Sequence, residues 1–249
     1  MKFEDMINNI TLGDSYKLIK DIPDKSIDLV IIDPPYDIGS VKNNTSKMFV
    51  EKGINKMMDE LENQDLVSGI DYSILDELVR IMKEINIYIW CNKNMIPEFI
   101  KYFVDKYKCN FNIISWHKTN AMPLLNGQYL IDTEYCLYFK KNKRLNTDYN
   151  SGKTHYELPI NIKDKEKYKH PTIKPLQIIK NLIKNSSNEG DIVLDCFSGS
   201  GTTCVASKEL NRRYIGIEIN PEYHQISIDR LNGMLANGQI SFDTDISKI

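Results

Sequence analysis

Residues 191–203 read DIVLDCFSGSGTT, a short apolar strand that runs directly into a glycine-rich turn, and the next residues through Leu210 have a helical pattern. Glycines at a strand-to-helix corner let the backbone approach a ligand closely, and the N-terminus of the helix offers free N–H donors. A dinucleotide site would require a glycine three residues after Gly201, but that position is Cys204. The stretch therefore predicts an α/β unit with a ligand site that does not hold a nicotinamide dinucleotide.

Similar strand-like runs recur along the chain and alternate with helical patterns. They cover residues 7–12, 27–32, 85–90, 111–116, 133–139, 191–196 and 213–219. This alternation predicts a mainly parallel sheet covered by helices on both faces. Because no helical pattern lies between 111–116 and 133–139, we expect these two runs to form an antiparallel hairpin at the sheet edge. The length fits one domain, 1–249, with long irregular segments at about 37–68 and 142–168.

The strand predicted at residues 27–32 stops at Asp33-Pro34-Pro35-Tyr36. The two prolines remove two backbone donors and fix two φ angles, so neither a strand nor a helix continues there. By itself the tetrapeptide fits either a plain turn or a rigid corner that holds a carboxylate and an aromatic ring. A second carboxylate, Glu218, ends the strand that follows the glycine turn. It is either a surface acid or an acceptor for both ribose hydroxyls of a nucleoside cofactor.

The composition excludes several classes of protein. At 41% hydrophobic and 27% charged residues, it is typical of a globular protein, and no apolar run reaches the length of about 18 residues that spans a bilayer. The first residues, MKFEDMINNI, lack the basic and then apolar pattern of a signal peptide, so we expect a cytoplasmic protein. The cysteines and histidines show no paired ligand spacing, which predicts reduced, mostly buried thiols and no metal site.

A basic segment stands out in a chain whose formal net charge is -2. Residues 140–174 hold ten Lys or Arg against four acids. On charge alone, the segment is either a solvated lysine-rich loop or a local patch for nucleic acid.

Four motifs, in chain order, decide between these alternatives. They are IDPPY at 32–36, HPTIKP at 170–175, DCFSGSGTT at 195–203 and RRYIGIEINPEY at 212–223. Together they resemble the DNA amino-methyltransferases, which use S-adenosylmethionine to methylate an exocyclic amino nitrogen of a base. The order, with the acidic corner before the glycine turn, is similar to that of the β class. The resemblance extends from Gly13 to about Leu231 and implies a circularly permuted, Rossmann-like fold of seven strands, mostly parallel, with one antiparallel hairpin.

The resemblance implies that the acidic corner is catalytic. An exocyclic amino nitrogen is a poor nucleophile because its lone pair is delocalised into the base ring. In the family, the carboxylate at Asp33 and the carbonyl oxygen at Pro34 accept the two amino hydrogens and stabilise the charge that develops on nitrogen. Pro35 then keeps the corner rigid, and Tyr36 stacks on a base turned out of the duplex.

The resemblance also implies an S-adenosylmethionine site at the glycine turn. The implied cofactor-binding residues are Asp14, Thr172, Lys174, Asp195, Phe197, Gly199, Gly201, Thr202 and Glu218. The methionine end is expected against the turn, with Thr172 and Lys174 near its carboxylate, Glu218 on the ribose and Asp14 near the adenine. His170 is expected to be structural, and a plain surface lysine is the alternative for Lys174.

DNA recognition is implied for the basic segment, from about residue 140 to 169. The implied DNA-binding residues are Lys143, Arg144, Asn146, Tyr149, Lys153, Lys163, Lys165, Lys167 and Lys169. The lysines would contact phosphates, whereas Arg144, Asn146 and Tyr149 would reach base edges. Because the segment is short, the irregular segment 37–68 is an alternative that would share the recognition.

Asp33 favours adenine N6 as the target, since relatives that act on cytosine N4 more often carry serine at this position. An RNA or protein methyltransferase is a further alternative, although an Asn-Pro-Pro-Tyr corner is more usual there. A nucleic-acid-binding relative without catalysis is the last, and the intact Asp33 and Tyr36 argue against it. Double-stranded DNA is the expected partner and no membrane association is expected. A homodimer and a cognate restriction endonuclease stay open, as does the recognised sequence.

Overall fold

The computed structural model describes residues 1–36, 69–121, 129–160, 162–168, 170 and 172–234. The irregular segment predicted at 37–68 therefore lies outside the described residues, as do Lys169 and the side chain of Lys163. Within the described part of the chain, eight strands form one sheet.

All seven predicted strands are present, together with the helical patterns between them. The strands are β1 (Asn9–Leu12), β2 (Leu29–Ile32), β3 (Asn86–Cys91), β4 (Asn110–Lys118), β5 (Thr133–Lys140), β6 (His155–Leu158), β7 (Ile192–Asp195) and β8 (Arg213–Glu218). The described α-helices are α1 (Phe3–Met6), α2 (Ser15–Leu18), α3 (Ile74–Ile81), α4 (Ile96–Ile100), α5 (Ile162–Tyr168), α6 (Leu176–Ser186), α7 (Thr202–Glu209) and α8 (Pro221–Leu231). A 3-10 turn, Ile19–Asp21, follows α2, and a π-helical stretch, Lys101–Lys106, follows α4.

The strand order in the sheet is β1-β8-β7-β2-β3-β5-β4-β6. Neighbouring strands are parallel except where β5 pairs with β3 and with β4. Among the described strands, β5 therefore runs against all the others. The predicted mostly parallel sheet with an antiparallel hairpin is confirmed. The hairpin lies in mid-chain, before β7, as the permuted order implies.

Two details differ from the prediction, and both concern β6. This strand pairs in parallel with Ser115–Lys118 of β4, so the sheet has an eighth strand and the hairpin is not its edge. Sequence patterns did not indicate β6 because it is only four residues, HYEL, in a lysine-rich segment, and its side chains are alternately exposed and half-buried. The segment 142–168 is accordingly not irregular throughout, since it contains β6 and α5.

Apolar side chains on both faces of the sheet explain why helices cover both. In β2, Leu29 and Ile31 belong to the core that includes residues of α6 and α7, whereas Val30 and Ile32 belong to the core that includes residues of α3. All four side chains are at most 1% exposed. A parallel strand buried on both faces has a continuous apolar sequence instead of an alternating one, as LVII does.

The strands that carry the predicted site residues are neighbours. In the order β8-β7-β2 they are parallel, so their carboxyl ends meet at one edge of the sheet. Asp33 follows β2, Asp195 ends β7 and Glu218 ends β8. The fold thus brings three carboxylates from separate motifs to the same edge.

The cysteines are free and buried, as predicted. Burial raises the pKa of the Cys196 thiol, beside the glycine turn, well above its usual range, so this thiol is a packing group and not a nucleophile. None of the helices in the described ranges has the length and apolar character needed to cross a membrane.

Candidate active site

Residues 33–36 form a compact acidic corner at the end of β2. The Tyr36 hydroxyl donates a hydrogen bond to Asp33 Oδ1 at 2.9 Å. Lys174 Nζ, from the segment before α6, donates to Asp33 Oδ2 at 2.5 Å and lies 5.5 Å from the centre of the Tyr36 ring. Pro34 is buried, and Pro35 faces the cavity described below. Each oxygen of the Asp33 carboxylate is therefore held by a neighbouring side chain.

A buried ionic network extends from this corner into the β4–β5 hairpin. Lys174 Nζ lies 3.1 Å from Glu134 Oε2, on β5, and Glu134 Oε1 lies 2.7 Å from Lys118 Nζ, on β4. The side chain of Lys174 is 8% exposed and that of Glu134 is 20% exposed. The charges alternate from Lys118 through Glu134 and Lys174 to Asp33. Each charge thus has an opposite neighbour, which buried charges require.

Burial and this network together set the ionisation of the corner. Burial raises the pKa of Asp33 above its ordinary value, and the Lys174 ammonium opposes that rise. For Glu134, the effect of burial is outweighed by the ammonium groups of Lys174 and Lys118, which lower its pKa to about 2. Burial disfavours the charge on Lys174, but the carboxylates of Asp33 and Glu134 raise its pKa above the usual value. Asp33 is therefore the carboxylate of this network whose pKa stays above its ordinary value although a cation is paired with it.

The turn between β7 and α7 has the backbone conformation that its glycines permit. Gly199 has a φ of 51° and Gly201, directly before α7, has a φ of 76°. A Cβ at Gly201 would lie 2.9 Å from the Cβ of Ser227, so α8 packs directly against the turn. The Thr202 hydroxyl accepts a hydrogen bond from Arg230 Nη1 at 3.0 Å. These contacts hold the turn between β7 and α8.

Glu218 approaches the same turn from the end of β8. Its Oε2 accepts from the Gly199 N–H at 2.6 Å, and its Oε1 accepts from the Asn220 N–H at 2.9 Å. The residue is 7% exposed, and burial raises its pKa although these backbone hydrogen bonds oppose the rise. A carboxylate has about four lone-pair positions, so Glu218 can accept further hydrogen bonds from a ligand.

Asp195 lies between Glu218 and the corner. It is 5% exposed and accepts hydrogen bonds from the Phe197 N–H at 3.1 Å and from the Thr203 hydroxyl. Burial raises the pKa of Asp195 to about 7, and the carboxylates of Asp33 and Glu218 add to this rise. Asp195 is therefore poised to become charged near neutral pH when a cationic group approaches it.

A cavity at this edge of the sheet joins the corner to the turn. Its lining includes Asp33 and Pro35 and, of the residues predicted to bind the cofactor, Asp14, Thr172, Lys174, Asp195, Phe197, Gly199, Thr202 and Glu218. Gly201 is not part of the lining, because it faces α8. Asp14 caps α2 by accepting from the Tyr16 N–H at 2.9 Å, and the Tyr16 ring meets the Phe197 ring edge-on, with 6.4 Å between centres. Asp33 and Pro35 therefore share one space with the predicted cofactor residues, whereas Pro34 and Tyr36 are not part of the lining.

His170 forms part of the cavity wall. It is 5% exposed, and its Nδ1 accepts from the Thr172 N–H at 3.3 Å. Burial lowers the pKa of His170 to about 3, so the ring is neutral and the accepting role of Nδ1 assigns the proton to Nε2. Nε2 has no hydrogen-bond partner among the described residues, and it lies 3.2 Å from where a Cβ at Gly199 would be. A buried donor thus faces the glycine turn.

The first part of the basic segment lies at the opposite edge of the sheet. Because β5 runs against its neighbours, its last residue, Lys140, pairs with the first residue of β3. The Asn146 amide donates to Ser187 O at 3.2 Å and to Asn188 Oδ1 at 3.1 Å, beyond the end of α6. This placement does not support base contacts by Asn146, since both N–H donors of its side chain already bind oxygens of the protein. The same stretch before β6 contains Lys143, Arg144, Tyr149 and Lys153.

The second part of the segment, α5, returns to the cavity edge. The Arg230 guanidinium lies 4.6 Å from the centre of the Tyr168 ring, which connects α5 to the helix behind the glycine turn. Burial and the nearby Lys118 ammonium lower the pKa of Lys165. Lys167 Nζ lies 5.1 Å from the centre of the Tyr168 ring. Lys165 of α5 is therefore near the ionic network of the corner, whereas the stretch before β6 begins at the opposite edge of the sheet.

Glu134 was not predicted to belong to the site, although the sequence contains a signal for it. In the strand predicted at 133–139, Glu134 alternates with Cys136 and Tyr138, which belong to a buried apolar core. A charged residue on such a face requires a partner. Lys174 also differs from its expected place, because its ammonium lies between Asp33 and Glu134 instead of beside the glycine turn.

Comparison with known proteins assigns the family. A family model described as DNA methylase matches residues 27–229. The Type II methyltransferase M2.LlaDCHI of Lactococcus lactis subsp. cremoris is 32% identical over 241 residues, covering 88% of this chain and 87% of the relative. The Type II methyltransferase M2.DpnII of Streptococcus pneumoniae is 31% identical over 244 residues, with 88% and 87% covered. The crystal structure of an M1.HpyAVI–SAM complex is 28% identical, with a TM-score of 0.64, and the match covers 90% of this chain and 99% of that one. The chain therefore belongs to the DNA methylase family of N6 and N4 amino-methyltransferases.

Proposed function

We propose that this protein transfers a methyl group from S-adenosylmethionine to the N6 amino group of adenine in double-stranded DNA. The observation that carries the proposal is the shared cavity, since the Asp33 corner opens on the same space as the glycine turn and Glu218. A methyl donor held at the turn and a base held at the corner meet in that space. Membership of the DNA methylase family supports the same conclusion.

The residues of the cavity fit S-adenosylmethionine. The buried His170 Nε2–H, which has no partner in the described part of the chain, suits a carboxylate. Glu218 retains acceptor capacity for ribose hydroxyls, and the buried Asp195 suits a cationic group. When bound, S-adenosylmethionine supplies an electrophilic methyl carbon on a positively charged sulfur.

Asp33 makes the amino nitrogen of the base nucleophilic. Its carboxylate accepts one amino hydrogen and the Pro34 carbonyl oxygen accepts the other, which frees the nitrogen lone pair from the ring. S-adenosylmethionine held by His170, Asp195 and Glu218 would supply the methyl group to this nitrogen, and the leaving sulfur would keep the electron pair of the carbon–sulfur bond. The nitrogen then loses one proton, through the Asp33 carboxylate to water. Tyr36 stacks on the base, and the two prolines hold the acceptors in place.

Adenine is the base that Asp33 favours, and cytosine N4 is the alternative within the same family. Purified protein incubated with tritiated S-adenosylmethionine and duplex DNA, followed by digestion to nucleosides, tests the choice. The expected product is labelled N6-methyldeoxyadenosine. Labelled N4-methyldeoxycytidine would support the proposed methyl transfer but would show that the target base is cytosine and not adenine. Label that enters only RNA or protein would contradict the proposal.

Affinity for S-adenosylmethionine is expected to rise as the pH approaches about 7 from below and to level off above that value. The pKa of Asp195 is about 7 in the free protein, and a cationic group of the cofactor lowers it in the complex. Binding below pH 7 therefore releases a proton and weakens as the pH falls. Calorimetry in buffers of different ionisation enthalpy counts the released proton. An Asp195→Asn variant should lose this pH dependence, and a flat profile in the unchanged protein would rule out the assignment.

For DNA binding we propose the α5 side of the basic segment. Lys165 and Lys167 lie on the helix that returns to the cavity edge, whereas Lys143 and Lys153 lie before β6, in the stretch that begins at the opposite edge. A duplex that delivers a base to Asp33 has its backbone near the cavity, so the phosphates lie within reach of α5. We include Lys163 and Lys169 in the same proposal because they flank Lys165 and Lys167 in the sequence.

Replacing Lys165 and Lys167 with glutamine is expected to weaken binding to every duplex and to leave sequence preference intact. If each lysine neutralises one phosphate, the slope of log affinity against log salt becomes shallower by about 1.8. The Lys143→Gln/Lys153→Gln variant removes the same charge before β6 and should keep the wild-type slope. Binding curves at several salt concentrations measure both slopes. The reverse outcome, a shallower slope only in the Lys143→Gln/Lys153→Gln variant, would place the DNA at the opposite edge of the sheet.

The remaining partner assignments rest on the DNA substrate. We propose a cytoplasmic protein, because the curated relatives named above are bacterial and their DNA lies in the cytoplasm. A homodimer and a cognate endonuclease stay predictions from the family resemblance, to be tested by sedimentation of the purified protein and by examination of the neighbouring genes.

A further inference from the structure

Glu134 acts on the acidic corner without being part of the cavity. It does not belong to the cavity lining, whereas Lys174 and Asp33 do. Within the described residues, its contact with the corner is the ion pair with Lys174, at 3.1 Å, and its negative charge also raises the pKa of Asp33. Its other oxygen is held by Lys118 at 2.7 Å, and the β5 backbone fixes it opposite Trp116 of β4. The Glu134 carboxylate is therefore held in place by two lysines and is separated from Asp33 by Lys174.

We propose that Glu134 is a positioning residue for methyl transfer: from β5 it holds the Lys174 ammonium against Asp33, and so keeps Asp33 in the ionised form that accepts a hydrogen from the target amine. This inference rests on the proposed function of Asp33. It extends that function from the corner itself to a residue on the antiparallel strand.

Lys174 needs a second carboxylate because its ammonium lies at the end of a flexible four-carbon stem. Two carboxylates, at 2.5 Å for Asp33 and 3.1 Å for Glu134, define the position of Nζ from two directions. The ammonium groups of Lys118 and Lys165 also act on this region. Without Glu134, the ammonium groups of Lys118, Lys165 and Lys174 would lose the carboxylate that they share, and their mutual repulsion would favour displacement of Lys174.

The ionisation of Asp33 depends on the position of Lys174. Burial raises the pKa of Asp33, Lys174 lowers it, and the Glu134 carboxylate adds a rise smaller than the effect of Lys174. Glu134 therefore favours the ionised form of Asp33 only through the position of Lys174. Other titratable groups in the described residues that act on the corner or its network are Tyr36 beside Asp33, Cys91 on β3, Lys118 on β4, Glu134 and Cys136 on β5, Lys165 on α5, His170 before α6 and Asp195 on β7. A protonated Asp33 has lost most of its acceptor strength, so rate should follow its ionised fraction.

Glu134→Gln removes the charge and keeps the shape of the side chain. We expect kcat to fall about 10- to 100-fold at neutral pH, with S-adenosylmethionine affinity within about threefold of wild type, because the cofactor residues are unchanged. Glu134→Asp restores the carboxylate one methylene short and should recover much of the loss. Glu209→Gln, which breaks a more exposed pair with Lys180, is the matched control and should leave kcat unchanged.

The action through Lys174 is tested by a double variant. Lys174→Met should move the acid limb of the kcat profile to higher pH, because Asp33 then lies buried near Glu134 without a counter-ion. In that background, Glu134→Gln should cause no further loss and should move the acid limb back towards lower pH, since it removes a repelling carboxylate. If the two substitutions lowered kcat by independent factors that multiply in the double variant, and the acid limb did not move, the proposal would be overturned.

A loss of folding must be separated from a loss of positioning. Glu134→Gln/Lys118→Met removes one charge of each sign, and we expect it to keep a Tm near wild type with the same fall in kcat. Wild-type kcat in this variant would overturn the proposal. Asp33→Ala, measured in parallel, distinguishes a failure of the proposed function from a failure of the role of Glu134. An active Asp33→Ala contradicts the proposed function, whereas an inactive Asp33→Ala beside a fully active Glu134→Gln contradicts the role of Glu134 alone.

Discussion

Replacing Asp33 with alanine is expected to lower kcat by at least about 1,000-fold, while affinity for S-adenosylmethionine changes by less than about threefold. Alanine removes the acceptor that exposes the lone pair of the amine, whereas the residues proposed to hold the cofactor, at the ends of β7 and β8, are unchanged. Quench-flow with labelled cofactor measures methyl transfer, and calorimetry measures affinity. Equal losses of rate and affinity would remove Asp33 from the catalytic role.

The Asp33→Asn variant separates hydrogen-bond acceptance from charge. Asparagine keeps one carbonyl acceptor but offers no charge to Lys174, so the loss of rate should be smaller than with alanine. The Tm of both variants controls for unfolding. Identical losses in the two variants would mean that the negative charge, and not the acceptor, is the essential property.

Replacing Glu218 with alanine is expected to weaken S-adenosylmethionine binding by about 1.5 to 3 kcal/mol, or about 10- to 150-fold in Kd, the usual loss for charge-assisted hydrogen bonds. At saturating cofactor, kcat should change much less, because the hydrogen bonds of Glu218 in the described part of the chain go to Gly199 and Asn220 and not to the acidic corner. Titration calorimetry measures the Kd. An unchanged affinity would refute the assignment of Glu218 to the ribose.

Glu218 also holds the glycine turn, so a second variant is needed. Alanine leaves the N–H groups of Gly199 and Asn220 without their acceptor, and part of the lost affinity will come from a loosened turn. Glu218→Gln keeps one acceptor oxygen and should lose less affinity than alanine. Glu222→Ala, on the exposed first turn of α8, is the control and should bind the cofactor as wild type does.

Local chemistry made part of this molecule predictable from sequence. Two prolines after an apolar run end a strand whatever the fold, and a glycine turn between a strand and a helix needs only its own residues. Parallel neighbours then bring the strand ends together, so Asp33, Asp195 and Glu218 meet at one edge without further information.

Long-range contacts were not predictable in the same way. The bond between Lys174 and Asp33 joins residues 141 positions apart, and nothing near either residue in sequence indicates it. The direction of β5 decides that Asn146 lies at the far edge while α5 lies near the cavity, and charge alone cannot distinguish these two halves of the basic segment. β6 was not predicted because this edge strand is short and its side chains are at most half-buried.

Single-base mapping of methylated positions, in DNA from cells that express the protein and from cells that express Asp33→Ala, tests the central claim most directly. We expect N6-methyladenine at one fixed sequence with the unchanged protein and at none with the variant. Methylation that persists with Asp33→Ala, or a complete lack of methylated adenine with the unchanged protein, would contradict it.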